Sequence, residues 1–447
     1  MSAVPLCDLH VTLTIKFTLI FAPLMHYENS ITFARKQDTE DPLRKFRERF
    51  HFPQFNGEDV IYFTGNSLGL QPKSTKQFIE QELTDWATHG VEGHFHAKNP
   101  WFSYHEILTD KTARLVGAKP IEVVVMNQLT ANVHFLLVSF YRPRGLRYKI
   151  LVEQKAFPSD QYAIESQVKF HGYEPEDAII EIGPREGEHT IRTEDILTAI
   201  EKHKEELALV FIGGVNYYSG QVFDMATITT AAHNAGAYAG FDLAHGAGNL
   251  VLQLHDWEVD FACWCSYKYL NSGPGSVGGA FVHEKHAHND RLPRFAGWWG
   301  HDKTNRFKME KGFVPIPGAE GWQLSNAPVF AMAAHNAALE IFDEVGMEKL
   351  RAKTEKLSGY LEFVIDEISA ANNNCLEIIT PRDWKERGCQ LSVIAHGYGR
   401  DLFNKLMHNG VMPDWREPNV IRMAPVPLYN SFEDVFKFGE RLQEAMK

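Results

Sequence analysis

The chain reads as an α/β protein, with a large domain on a mostly parallel seven-stranded sheet and a smaller α+β domain at the C-terminus. Three observations predict this. Strand-length apolar runs alternate with helix-length segments. The runs are apolar throughout rather than at every second residue, as strands covered on both faces require. Near Asn326 the texture changes to an alanine-rich helical stretch followed by shorter mixed elements.

Regular structure is expected from Asp41-Pro42-Leu43, where Pro42 suits the first turn of a helix over Leu43 to Phe50. Val60-Ile61-Tyr62-Phe63 follows as a short strand. After the loop Thr64 to Pro72, Ser74 and Gln77 stand at capping-box spacing before a helix over Phe78 to His89, which Gly90 closes. Seven buried strands are then predicted at Glu122–Met126, Lys149–Val152, Ala178–Ile182, Leu207–Ile212, Ala237–Phe241, Asp260–Cys265 and Val277–Val282. Helices are predicted at Ala131–Phe140, Asp160–Phe170, Glu194–Lys204 and Met225–Ala235. Beyond them, Ala327 to Val345 and Met347 to Ile368 form a long helical connection interrupted by Gly346. Leu376–Ile379, Gln390–Ala395, a helix over Arg400–Asn409, and Val420–Ala424 complete the smaller domain. The expected division is 1–56 as an extension and arm helix (1–35 of uncertain order), 57–326 as the large domain and 327–447 as the small one.

A chain of 447 residues is long enough for one large and one small domain. The net charge of −12 and the lack of a long Lys/Arg block weigh against a nucleic-acid partner. Val11 to Met25 is apolar but contains Lys16 and Pro23, with no basic residue before it. It falls short of the roughly 20 apolar residues of a membrane span and lacks the charged start of a secretory signal. Five cysteines are too few and too irregular for a disulfide framework, which points to a reducing, cytoplasmic setting. Cys263 and Cys265 flank Trp264 on one strand face without zinc-ligand partners, so no metal site is expected.

The chemistry concentrates at Ser266-Tyr267-Lys268-Tyr269, delivered by one strand and followed by the glycine-rich Asn271-Ser272-Gly273-Pro274-Gly275-Ser276. Upstream, Asp242 and His245 close the strand Ala237–Phe241. A lysine after one strand is commonly a solvated surface residue, and an aspartate after another commonly caps a helix. Here Lys268 lies between two tyrosines after a buried strand, a setting that desolvates an amine. Together they are what pyridoxal phosphate needs: a lysine to bind its aldehyde and a carboxylate to keep its ring nitrogen protonated. A phosphate seat is offered where Asn127-Gln128-Leu129-Thr130 opens a helix, with backbone N–H groups and the Thr130 hydroxyl; the alternative is that Thr130 only caps its helix. In Phe157-Pro158-Ser159-Asp160, Phe157 suits stacking on a flat ring, and Asp160 is either a cap or a second carboxylate near the ring nitrogen.

These motifs resemble the kynureninase family of fold-type-I pyridoxal-phosphate enzymes, eukaryotic type, over nearly all the chain after Asp41. The stretches that carry the resemblance are Gly65-Asn66-Ser67-Leu68-Gly69-Leu70-Gln71-Pro72, Asp260 through Asn271, and Ala424-Pro425-Val426-Pro427-Leu428-Tyr429-Asn430. The resemblance implies Lys268 as the cofactor-binding lysine and Asp242 with Asp160 at the ring nitrogen. It puts His245 beside the cofactor, Phe157 on its ring with Pro158 and Ser159 following, and Leu129 and Thr130 at the phosphate. Tyr218 and Tyr267 would add hydroxyl donors, with Tyr218 also a candidate proton relay. Trp298 and Asn326 would complete the site from the partner of a homodimer, and Arg422 would clamp the substrate's α-carboxylate. His94, Ser325 and Asn326 would face the substrate's aromatic ring, and polar groups there favour 3-hydroxykynurenine over kynurenine. The implied reaction is hydrolytic Cβ–Cγ cleavage to alanine and an anthranilate, within tryptophan catabolism and NAD biosynthesis. At Gly213 the chain departs from the serine many relatives carry, losing a hydroxyl contact to the cofactor.

Three rival readings remain at this stage. A desulfurase-like β-lyase would need a catalytic cysteine on a mobile loop, and Cys375 and Cys389 lie in the small domain without an obvious partner. An aminotransferase would need a keto-acid acceptor. A non-catalytic binding relative would not need Lys268, Asp242 and Arg422 together.

Overall fold

The computed structural model describes residues 26–447. Its large sheet comprises β1 (Val123–Val125), β2 (Lys149–Glu153), β3 (Ile179–Ile182), β4 (Leu207–Gly213), β5 (Tyr238–Asp242), β6 (Phe261–Cys265) and β7 (Gly278–Val282). They lie in the order β1-β7-β6-β5-β4-β2-β3. β7 runs antiparallel to both neighbours, whereas the other pairings are parallel. The reversal follows from the connection: Ser266–Val277 contains no crossover helix, and a chain without one returns antiparallel to the strand it left.

The strands are apolar throughout because both faces are covered. Leu151, Val210 and Ile212 pack in one cluster, while Ile150, Val152, Leu209 and Phe211 pack in another, following the period-two alternation of a strand. The smaller sheet is antiparallel: β8 (Leu376–Ile378), β9 (Leu391–Ala395), β10 (Asp414–Arg416) and β11 (Val420–Met423), in the order β8-β9-β11-β10. It shares a core with helices Met347–Ala371 and Phe432–Ala445. Ile61–Tyr62 pairs in parallel with Val411–Met412, and Ile61 and Phe63 pack in that same core.

Several local expectations change. Residues 31–35 belong to a packed helix, Ile31–Glu40, rather than to a segment of uncertain order. Ser30 caps it by accepting the Phe33 N–H at 3.1 Å, and the Asp38 carboxylate accepts the N–H groups of Phe432 and Glu433 at 2.7 and 2.9 Å. Its apolar signal is weak because only Ala34 is buried. The expectations for Cys7 and Val11 to Met25 lie outside the described residues. Leu43 to Phe50 is a 3-10 helix over Arg44–Arg49. The helix Thr75–His89 ends at Gly90, whose φ is +55°, but Ser74 makes no side-chain cap, so the expected capping box is absent.

Candidate active site

The carboxyl ends of β2, β4, β5 and β6 converge on a cavity of about 210 Å³, where ligands of open α/β sheets bind. Lys268 enters from the loop after β6. That loop is held by Ser266 donating to the Val277 carbonyl, by the Ser272 N–H to Ser266 O at 3.0 Å, and by the Gly69 N–H to Tyr267 O at 2.8 Å. A Cβ on Gly69 would fall 2.3 Å from the Lys268 carbonyl oxygen, so only glycine permits this approach. The Lys268 ammonium lies 5.6 Å from the centroid of the Phe157 ring.

Asp242 ends β5 and accepts the Ala244 N–H at 2.6 Å. Asp160 sits in the first turn of the helix Pro158–Phe170, whose N1 residue is Pro158. Both carboxyl groups are buried and face each other. Burial raises both proton affinities. For Asp160, the Asp242 charge and the hydrogen bond to it raise the value well above the carboxylate range. For Asp242, the bond from Asp160, the Ala244 N–H and the Lys268 charge oppose burial. Two buried carboxyl groups this close oppose each other's ionisation, and the larger rise at Asp160 makes it the one that favours keeping a proton. His245 is buried nearby and neutral, its proton affinity pushed well down by burial and then by Lys268, Arg422 and Arg416.

The helix Leu129–Phe140 starts two residues earlier than expected. Gln128 is its N-cap but makes no side-chain cap bond. Thr130 lies inside the first turn and therefore does not cap the helix. The helix start opens on the cavity, lined by Gln128, Leu129 and Thr130. Asp160 Oδ1 and His245 Nδ1 are buried without partners among protein atoms. A half-buried lysine, a facing pair of buried carboxyl groups and an uncapped helix start fit a cationic aromatic ring carrying an aldehyde and a phosphate.

Of the sequence-predicted residues, Leu129, Thr130, Phe157, Ser159, Asp160, Gly213, Asp242, His245, Tyr267 and Lys268 line this one cavity. Ser325 and Asn326 line an adjoining hollow of about 360 Å³ that shares Gln128 with it. Arg422 is fully buried, donating to the Tyr217 carbonyl at 2.6 Å and to Asp414, and its Nε has no partner. Tyr218 lies outside the cavity wall, its hydroxyl 3.4 Å from Asn419 Oδ1, whereas Tyr217 lines it. His94 packs edge-on to Trp101 at 5.6 Å, and Trp298 is 44% exposed, so one protomer does not bring either to Lys268.

Sequence reading missed Glu153, the third buried carboxyl on the cavity wall. The signal was available: Glu153 ends β2 as Asp242 ends β5, but the predicted strand stopped at Val152. Among the described residues no cysteine lines the cavity, and Cys389 is buried, its thiol pushed up to about 12 by burial. A second cluster, Glu122, His255 and His283, is occupied with internal bonds. Glu122 accepts from His255 at 2.9 Å and from the N–H groups of Lys119 and Glu284 at 2.8 Å, and His283 accepts the Lys285 N–H at 3.1 Å.

This sheet and cavity are those of a fold-type-I pyridoxal-phosphate enzyme. Solved structures agree on the fold: the cysteine desulfurase CsdA of Escherichia coli superposes with a TM-score of 0.72 at 16% identity, over 90% of this chain and 98% of its own. A C-DES variant with glycine covalently linked to its pyridoxal-phosphate cofactor also gives 0.72 at 16%, over 86% and 96%. Residues 61–383 match the aminotransferase class-V family, and residues 350–442 match the kynureninase C-terminal domain. The kynureninase of Flavobacterium psychrophilum is 59% identical over 94% of this chain and 99% of its own length. Those of Myxococcus xanthus and Nematostella vectensis are 58% and 51% identical, each over 93% of this chain and over 97% and 94% of their own. The chain belongs to the kynureninase family, and pyridoxal phosphate is its cofactor.

Proposed function

We propose that this protein hydrolyses the Cβ–Cγ bond of kynurenine-type amino acids to L-alanine and an anthranilate, in tryptophan catabolism and NAD biosynthesis. The observation that carries the reading is Lys268 sharing one buried cavity with the Asp160–Asp242 pair and an uncapped helix start. Bound pyridoxal phosphate supplies an electron sink for charge developing at the substrate's α-carbon. The residues of the chain do the rest. Lys268 holds the cofactor and moves the α-proton. Asp242, with Asp160 beside it, would face the ring nitrogen and keep it protonated, and Phe157 would cover the ring. Leu129 and Thr130 offer N–H groups to the phosphate, with Ser159 and Tyr267 also on the wall. His245, kept neutral by its surroundings, adds no competing cation.

Arg422 would hold the substrate carboxylate, which would exchange with Asp414 for the guanidinium fork; its unpartnered Nε supports the reading. A second subunit is proposed to supply Trp298, Ser325 and Asn326. The apolar surface around Trp298, with Phe307 and Met309 at 53% and 72% exposure, is of a kind that interfaces cover. The division into units at 57–326 and 327–447 draws support from the small sheet's own core with the helices Met347–Ala371 and Phe432–Ala445, while Met332 to Val345 pack in the core of the large unit.

The test is to incubate the purified protein with kynurenine or 3-hydroxykynurenine and measure alanine and the matching anthranilate. Both products should form. Lys268→Ala should lose at least about 10³-fold in rate, in the range of a lost proton-transfer group; turnover persisting in that variant would defeat the reading. A preference for 3-hydroxykynurenine rests on His94, Ser325 and Asn326. His94→Phe should lower the ratio of kcat/KM for the hydroxylated over the plain substrate by about tenfold, the equivalent of 1.4 kcal/mol. An unchanged ratio would remove His94 from that role.

A further inference from the structure

Glu153 is the last residue of β2, 4% exposed, and lines the Lys268 cavity. Its Oε2 accepts the Gly213 N–H at 2.7 Å. Gly213 in turn stands opposite Asp242 across the β4–β5 pairing. Three neighbouring strand ends therefore place Glu153, the Gly213 amide and Asp242 in a row, and the first turn of the following helix adds Asp160. Among the described residues, the Gly213 N–H is the donor to this carboxyl, and it bonds Oε2 rather than Oε1. A Cβ on Gly213 would lie 3.1 Å from Oε1 and 3.4 Å from Oε2, so a side chain there would touch the carboxyl and make it give by a few tenths of an ångström.

We propose that Glu153 is a third acid of this site, a positioning residue that holds a proton on the cavity wall and so confines the negative charge of the three carboxyls to Asp242. The inference rests on the reading of this cavity as the cofactor's. Its physical basis is charge balance. Three buried carboxyls with two protons carry one negative charge, which matches one cationic ring nitrogen; a second negative charge would repel the first and cost desolvation twice. The titratable groups facing Glu153 are Asp160 from the helix and Asp242 from β5, with Lys268 and His245 across the cavity. Glu181 on the adjoining edge strand is exposed. Burial, reinforced by Asp242 and only partly opposed by the Gly213 N–H, pushes the Glu153 carboxyl up to about 7. Glu153 would thus exchange its proton close to neutrality, while Asp160 keeps its own.

Infrared difference spectroscopy on the apoenzyme, wild type against Glu153→Gln, tests this without relying on turnover. Glutamine preserves an acceptor for the Gly213 N–H. Between about pH 5 and pH 9 the wild type should show a protonated-carboxyl band that fades with a midpoint near neutrality and is missing from Glu153→Gln. In the holoenzyme, the pH profile of kcat/KM for the variant should lose one ionisation in the same range. Gly213→Ser should give Glu153 a hydroxyl donor and lower the band's midpoint by about one pH unit, roughly tenfold in proton affinity. Identical infrared spectra for wild type and Glu153→Gln, or a midpoint that Gly213→Ser leaves in place, would overturn the proposal. Loss of the band without any turnover in the wild type would instead count against the reading of the reaction and leave the third acid standing.

Discussion

Asp242 and Asp260 stand at opposite ends of adjacent parallel strands, and both are buried, yet their surroundings treat them in opposite ways. Asp260, just before β6, is surrounded by donors: His233 at 2.8 Å, His286 and Lys285 at 2.9 Å, and the Ala239 N–H at 2.8 Å. Burial pushes its carboxyl up, but the bonds from His233 and His286 and the Lys285 charge overrule it and hold the value far below the usual range. At the other end, Asp242 has one backbone donor and shares its cavity with Asp160 and Glu153; the Ala244 N–H, Asp160 and the Lys268 charge oppose burial without overcoming it. The difference teaches that a buried carboxylate is a fastener where donors outnumber it and a chemical group where other acids crowd it. Residue type and burial are the same in both cases.

The largest expected effect separates the two roles directly. Asp242→Asn should reduce alanine release by about 10³-fold while the melting temperature stays within a few degrees of wild type, because the amide relieves a crowded charge. If that variant unfolded instead, Asp242 would be a fastener too. Asp260→Asn should do the reverse. It weakens the acceptor that His233, His286, Lys285 and the Ala239 N–H share and should cost about 3–5 kcal/mol in urea unfolding, with turnover per folded molecule nearly unchanged.

The pH dependence of stability supplies the smaller and sharper contrast, because the signs are opposite. Asp260 has a depressed value in the folded state, so its contribution is present above its ordinary value of 3.8 and is lost as pH falls below it. Glu153 has a raised one. Its contribution is present below the ordinary 4.5 and is lost as pH rises through about 7. Thermal unfolding followed against pH should therefore show an acid limb that Asp260→Asn flattens. It should also show a neutral decline, at most about 3 kcal/mol, that Glu153→Gln flattens. A single variant removing both limbs would show that the two ends of the sheet are not independent.

Much of the fold was legible because its signal is local. Continuous apolar runs such as Leu207–Ile212 and Ala237–Phe241 can only be strands buried on both faces, and the observed strands overlie all seven expected segments. Reversal of β7 was not legible from apolar content, since direction depends on what the connection contains rather than on the strand itself. The arm helix Ile31–Glu40 was obscured because it docks through Asp38 and a single buried alanine instead of an apolar stripe. At the site, the predicted strands stopped one residue short at Val152, Ile212 and Phe241 alike; Asp242 was found through its companions His245 and Lys268, whereas Glu153 had no such companion in its own segment. Of the adjacent pair Tyr217 and Tyr218, only the backbone path shows which one faces the cavity.

By itself the sequence determined where strands would form, that Lys268 and Asp242 would follow two of them, and to which family motifs they belong. Those properties are carried by neighbouring residues and by periodicity, which survive without coordinates. Only the tertiary structure decided that Asp160 and Asp242 meet as a buried pair, that Glu153 joins them on one cavity wall, and that Asp260 is satisfied by residues from three other segments. Proton affinity depends on distance and burial, and both are set by parts of the chain far apart in sequence.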